Sequence, residues 1–205
     1  MPKVKVPKKT PSLDMTPMVD LAFLLVTFFM LTTKFRPEEP VIVDTPSSVS
    51  EIKLPDRDIM TITIDKDGRA FFDLDGQPTR TALIEKMGER YNQKFDAKET
   101  KKFSVMSSFG VPMNQMKSLL DADDQGRKMV NKQTKGIPVD TMPGPTNELY
   151  DWINLGRHLN PKYRIAIKGD GDASYPVIKK IIKTLQDQKI NKFNLITNLE
   201  AETKE

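Results

Sequence analysis

One stretch of this chain, Thr16-Pro-Met-Val-Asp-Leu-Ala-Phe-Leu-Leu-Val-Thr-Phe-Phe-Met-Leu-Thr-Thr33, is apolar enough to enter a bilayer, and it carries a carboxylate, Asp20. A bilayer crossing needs ~20 mostly apolar helical residues. Thr16 to Thr33 roughly reaches that length, with Lys34 and Arg36 placed to snorkel at the far edge. The pattern predicts a single transmembrane helix over 14–34, preceded by a short tail over 1–13. An ionised Asp in hydrocarbon costs on the order of 2.5–3.5 kcal/mol even on the lenient insertion scale, so such a residue generally faces protein or a water path and works there. Asp20 is therefore a proton-site candidate.

A plainer reading of the same residue stands beside this one. With Thr16 as the helix cap and Pro17 in the first helical position, Asp20 falls near the first turn, where free backbone N–H groups and the helix dipole favour an anion. Thr16, Asp20 and Thr27 also share one stripe at i, i+4 and i+11 spacing, and their polar groups are available to a partner helix. Thr27 alone is better read as a threonine bonded back to its own helix.

The rest of the composition assigns topology. With 205 residues, 38% of them hydrophobic, and a mean hydropathy of −0.48, the chain is expected to be mostly water-exposed, with one modest domain beyond the membrane segment. Lys3, Lys5, Lys8 and Lys9 precede the apolar segment without an acid before Asp14, whereas Glu38, Glu39 and Asp44 follow it, which keeps the N-terminus in the cytoplasm. Basic residues ahead of an apolar core also suit a secretory signal peptide. No A-x-A-like cleavage site follows, however, and an uncleaved anchor is expected. The net charge of +4 is spread among interspersed signs and leaves no nucleic-acid footprint. Cysteine is absent, which suits an oxidising compartment without identifying one.

Residues 35–58 are rich in Pro, Ser and acids and read as a linker. Within it, Val41-Ile-Val43 is read first as plain linker, with a short strand or a segment lying against the membrane partner as the alternatives. The domain itself is expected over 59–205. Ile59 to Ile64 alternates, Asp65-Lys-Asp-Gly68 turns, and Ala70 to Leu74 follows before Asp75-Gly76, which predicts a β-hairpin. The two D-x-D-G turns lack the remaining ligands of a calcium loop, so turn chemistry is the reading and no metal is expected. A helix from about Thr81 to Tyr91 would pack Leu83, Ile84 and Met87 onto the sheet. Between 95 and 145 the pattern weakens, apart from a short helix within Val111 to Leu120, and this stretch reads as an insertion. A helical pattern resumes from Pro145 to about His158. The C-terminal run then gives a strand at Arg164–Lys168, a helix at Tyr175–Gln188 with Val177, Ile178, Ile181, Ile182 and Leu185 on one face, and a strand at Lys192–Leu199, a β-α-β unit. Gly169-Asp-Gly-Asp172 reads as a loop and helix cap. The expected class is α+β: one N-terminal membrane helix, a linker and a small mixed α/β domain. No phosphate loop, catalytic carboxylate pair or nucleophile with a base is visible, so neither enzyme activity nor a cofactor is expected.

Asp14-Met-Thr-Pro-Met-Val-Asp20, followed by an apolar helix, resembles the signature of the ExbD/TolR family of inner-membrane biopolymer-transport subunits: Asp or Asn, then x-Thr-Pro, two apolar residues and Asp. The resemblance maps the family's proton-carrying aspartate onto Asp20, its Thr-Pro onto Thr16 and Pro17, and its initial polar residue onto Asp14. Pro40-Val-Ile-Val-Asp-Thr-Pro46 is similar to the short extended motif after the helix in these proteins, carried here by Val41, Val43 and Pro46, although Thr45 stands where the family prefers Leu. The C-terminal strand-helix-strand also resembles the end of their periplasmic domain, whereas the 95–145 stretch departs from the compact form.

The resemblance implies two such helices, from an identical chain or a paralogue, inside a ring of a polytopic ExbB/TolQ-like protein in the inner membrane. Asp20 would relay protons, and the periplasmic domain would pass motion to a TonB/TolA-like protein that spans the periplasm. An ExbD role in TonB-dependent transport and a TolR role in envelope maintenance both remain open. So do a membrane-anchored periplasmic binding module, which leaves Asp20 idle, and a wall-anchored stator subunit, for which the short C-terminal domain shows no wall-binding motif.

Overall fold

A computed structural model describes residues 15–32, 39–48, 57–140, 147–196 and 198–199. The chain divides into two units, Met1–Arg36 and Pro37–Glu205. The first contributes a single described helix, α1 (Thr16–Thr32), apolar over most of its surface and without one buried residue.

In the second unit, β1 (Ser47–Ser48) precedes a hairpin of β2 (Ile59–Ile64) and β3 (Ala70–Leu74). The hairpin forms as its alternation demands. Gly68 takes φ of 76°, which side chains rarely tolerate, and donates to Asp65 O at 3.0 Å. The Asp65 carboxylate accepts from the Arg69 amide at 2.8 Å and from Arg69 Nε at 2.6 Å, so this acid is committed to its turn. Next come α2 (Gln77–Arg90), α3 (Ala97–Val105), β4 (Ser108–Phe109), α4 (Met113–Asp121), α5 (Asp124–Gln133) and α6 (Glu148–Leu159). The C-terminal unit is β5 (Arg164–Gly169), α7 (Tyr175–Asp187) and β6 (Phe193–Ile196), and β7 (Asn198–Leu199) closes the described chain.

The sheet runs β4-β3-β2-β5-β6 and is mixed: β2 is antiparallel to β3 and parallel to β5, and β5 is parallel to β6. Register puts one apolar row across it. Met60 faces Leu74 and Ile165, and Ile62 faces Phe72 and Ile167, all essentially inaccessible to water. Leu83, Ile84 and Met87 of α2 and Ile181 and Leu185 of α7 join that core, as expected from their helical spacing. The β5-α7-β6 unit is present as predicted. The stretch expected as one strand over Lys192–Leu199 contributes to two sheets: β6 pairs with β5, whereas β7 pairs in parallel with β1. Helix α2 also begins at Gln77, four residues before the expected Thr81, because Pro78 is tolerated in a first turn whose N–H groups lack intrahelical partners.

The 95–140 stretch departs furthest from expectation. Read as a weakly patterned insertion, it folds into α3, β4, α4 and α5, and it buries Phe103, Phe109, Met113, Met116, Leu119 and Leu120. Phe109 and Phe103 meet Trp152 of α6 at centroid separations of 4.7 and 6.0 Å, and Phe72 of β3 completes the cluster at 6.2 Å. Asp96 and Glu99 start α3 with a reciprocal capping box. Buried Arg80 binds Asp73 Oδ1, Leu74 O and Ser107 O, tying α2 to both ends of the β3–α3 region. Buried Asp151 takes Arg90 Nε and the Tyr91 hydroxyl, each at 2.8 Å, which fixes α6 to the end of α2.

Candidate functional site

In α1, Met15 O accepts the first bond, from Val19 N at 3.0 Å, so Thr16 is the first helical residue and Pro17 the second. That is one position earlier than the cap assignment made from sequence, a difference of the size at which helix boundaries are defined. Asp20 is therefore the fifth helical residue, beyond the four amides that a helix start leaves unpaired. Its carboxylate is exposed and has no hydrogen-bond or ion-pair partner among the described residues.

The side chains around Asp20 set its chemistry. Every large apolar residue of α1 is exposed, from Leu25 at 47% to Leu31 at 87%. Such a helix needs a lipid or protein cover. Thr27 is half-buried, and its hydroxyl donates to Phe23 O and Leu24 O, both at 3.0 Å, which is the back-bonded reading. Thr16 and Asp20 share its stripe. Asp14, Lys34 and Arg36 lie outside the described residues. Among those described, no helix is long and apolar enough to cross a membrane: α1 has 17 residues, a rise of about 25 Å against a hydrocarbon core of roughly 30 Å.

The second element singled out by sequence, the linker motif, is held against the end of β5. Val43 and Thr45 are buried, Val41 is half-buried, and Pro46 and Ile42 face solvent. Asp44 O accepts from Gly171 N at 2.9 Å, and Asp44 N donates to Asp170 Oδ2 at 3.3 Å. Lys168 Nζ donates to Glu39 Oε2 at 3.0 Å. The Val41–Val43 segment is thus docked but is not a strand; pairing begins only at Ser47–Ser48, against β7. The Gly169–Asp172 turn, expected to cap a helix, also clasps this linker. Near the same face, Asp73 is pushed up to about 6: burial outweighs the Arg80 guanidinium beside it, and Asp75 and Glu39 add to the rise. Sequence reasoning missed Asp170, Lys168 and Glu39 as linker clasps, because each is an ordinary surface charge until the fold brings them together.

Among the described residues, no group of three or more His, Cys, Asp or Glu is arranged to hold a metal ion. Comparison with known proteins gives one positive finding. The family model described as biopolymer transport protein ExbD/TolR matches residues 7–135, more than half of the chain. The match contains Asp20, Thr16, Pro17, Thr27 and the Val41–Pro46 linker, runs through the 95–135 stretch, and ends before the β5-α7-β6 unit. No curated protein and no solved structure matches the chain.

Proposed function

This chain belongs to the ExbD/TolR family of biopolymer-transport proteins, and from that premise we propose that it is the single-pass subunit of a motor driven by proton-motive force, with Asp20 as its proton-carrying group. The observation that carries the reading is a carboxylate with no partner among the described residues, set in a helix whose large apolar side chains are all exposed. Covered by lipid and by an ExbB/TolQ-like polytopic partner, that helix would carry Asp20 at a protein-lined path. Asp20 would then alternate between a neutral and a charged state, each preferring a different surrounding. Across ~150–200 mV, one elementary charge releases roughly 3.5–4.6 kcal/mol, enough to bias a conformational step. Asp14, Thr16 and Pro17 would set the helix start and its packing. A second copy or a paralogue would pair with the helix inside the partner ring. The domain beyond the docked linker would hand the motion to a TonB/TolA-like protein, with the N-terminus cytoplasmic and this domain periplasmic.

The reading favours an ExbD role in TonB-dependent transport across the outer membrane, with a TolR role in envelope maintenance as the alternative. The test is Asp20→Asn, nearly isosteric but unable to cycle a proton. Energised uptake should be lost while expression and copurification with the polytopic partner are retained. Wild-type uptake by this variant would overturn the proton assignment. Loss of detergent resistance on deletion of the gene, with uptake intact, would move the role to the TolR side.

A further inference from the structure

At the end of the sheet where β5 and β6 begin, two adjoining concavities of about 540 and 680 Å³ form one elongated cleft. Both are lined by Arg157 and Lys189; His158 and Asp187 line the first, and Arg164 and Lys192 the second. Asp187 is the only acid among these lining residues. None of the four Lys and Arg side chains has an acidic partner among the described residues. Arg157 and His158 lie in the last turn of α6, where cations offset unpaired carbonyls. That account does not extend to Arg164 and Lys192, which stand at strand starts. Lys189 is placed at unusual conformational cost: it follows α7 with φ of 59°, the left-handed conformation for which Gly is the common choice. Gln188 and Tyr150, which also line the first concavity, are joined by a bond from Gln188 Nε2 to Tyr150 O at 2.9 Å that ties the end of α7 to α6.

We propose that this cleft seats an extended acidic peptide segment of a partner protein. All four Lys and Arg side chains line the second concavity and two of them, Arg157 and Lys189, are shared with the first, so the positive charge continues from one into the other and complements a chain of carboxylates. Half-buried Phe193 and exposed Pro161 give the walls apolar surface for the side chains between those charges. The proposal is independent of proton transfer at Asp20.

The test is fluorescence anisotropy of a labelled oligoglutamate titrated with the full-length chain in neutral detergent. Binding should be saturable, weaken with salt and exceed that of an oligoglutamine control. Each exposed ion pair is worth roughly a two- to fivefold change, so a combined Arg157→Gln, Lys189→Asn and Lys192→Gln variant should lose on the order of tenfold. Asn tolerates the backbone of position 189, and an unchanged thermal melt verifies the fold. Lys179→Gln and Lys180→Gln, on exposed positions of α7 outside the cleft, should bind like the wild type. Equal binding of the neutral peptide, or undiminished binding by the triple variant, would overturn the proposal. Flotation with phosphatidylglycerol vesicles that depends on these three residues, without oligoglutamate binding, would overturn it in favour of a lipid site.

Discussion

Helix α1 and the domain beyond residue 57 are built from similar apolar residues used in opposite ways. In the domain, Met60, Ile62, Leu83, Ile84 and Trp152 are fully buried, because strand alternation and helical spacing gather them on faces that meet within the chain. In α1 the apolar residues surround the axis, so no orientation hides them. The two acids Asp151 and Asp20 repeat the contrast. Asp151 is 2% exposed and held by Arg90 and Tyr91, and its partners all belong to this chain. Asp20 has no such partner among the described residues. A charge whose partners are internal helps to hold the fold, whereas the proposed role of Asp20 gives it a surrounding supplied by another molecule.

Exchanging the two acids' roles is the largest test of this contrast. Asp20→Asn should reduce energised transport to background and leave the thermal unfolding of the domain where it was. Asp151→Asn should do the reverse. It leaves Arg90 and Tyr91 without their charged acceptor at a buried position, which costs about 1–3 kcal/mol, while transport per folded molecule is retained. Parallel uptake assays and thermal melts check both. A variant that moved both readouts equally would erase the distinction between the two acids.

A second test concerns the face of α7. Ile181 is fully buried and Lys180 exposed. Ile181→Asp should destabilise by several kcal/mol, since it buries an unpaired carboxylate. Lys180→Asp should leave the unfolding midpoint within about 0.5 kcal/mol of the wild type, as surface substitutions do. Denaturant titration separates them, and the opposite ranking would invert the register of α7.

That register was legible in the sequence because Val177, Ile178, Ile181, Ile182 and Leu185 repeat the helical period without interruption, between Asp-Gly turn signals and a second strand. The hairpin was legible for the same local reason. The 95–140 stretch was not, apart from α4, which was expected as a short helix within Val111 to Leu120. Its apolar residues are divided among helices of nine or ten residues, too short for a clear period, and Phe103 and Phe109 find their purpose only against Trp152, more than forty positions away. The pairing of Ser47–Ser48 with Asn198–Leu199 is more remote still and carries no local sign. Asp20 stood out because an acid in an apolar run is a local anomaly. The Asp44–Asp170 and Glu39–Lys168 clasps did not, since charges in a linker and in a turn are ordinary.

Thr27 offers the smallest and sharpest probe of the α1 half of the contrast. Its hydroxyl is polar and on the stripe of Asp20, so two roles compete for it: a group presented to a partner helix or proton path, and a threonine satisfied by its own backbone. Its bonds to Phe23 O and Leu24 O already occupy the one proton it can donate. Thr27→Val keeps the shape and the β-branch, and removes only that donor and the oxygen's lone pairs. If backbone bonding is its whole role, transport and copurification with the partner should stay within about twofold of the wild type, because both carbonyls retain their helical bonds. Thr27→Ser, which keeps the hydroxyl and loses the methyl, should be equally silent. A large loss with Val that Ser restores would show that the oxygen is used, and would extend the unpartnered chemistry of α1 from one residue to a two-residue stripe.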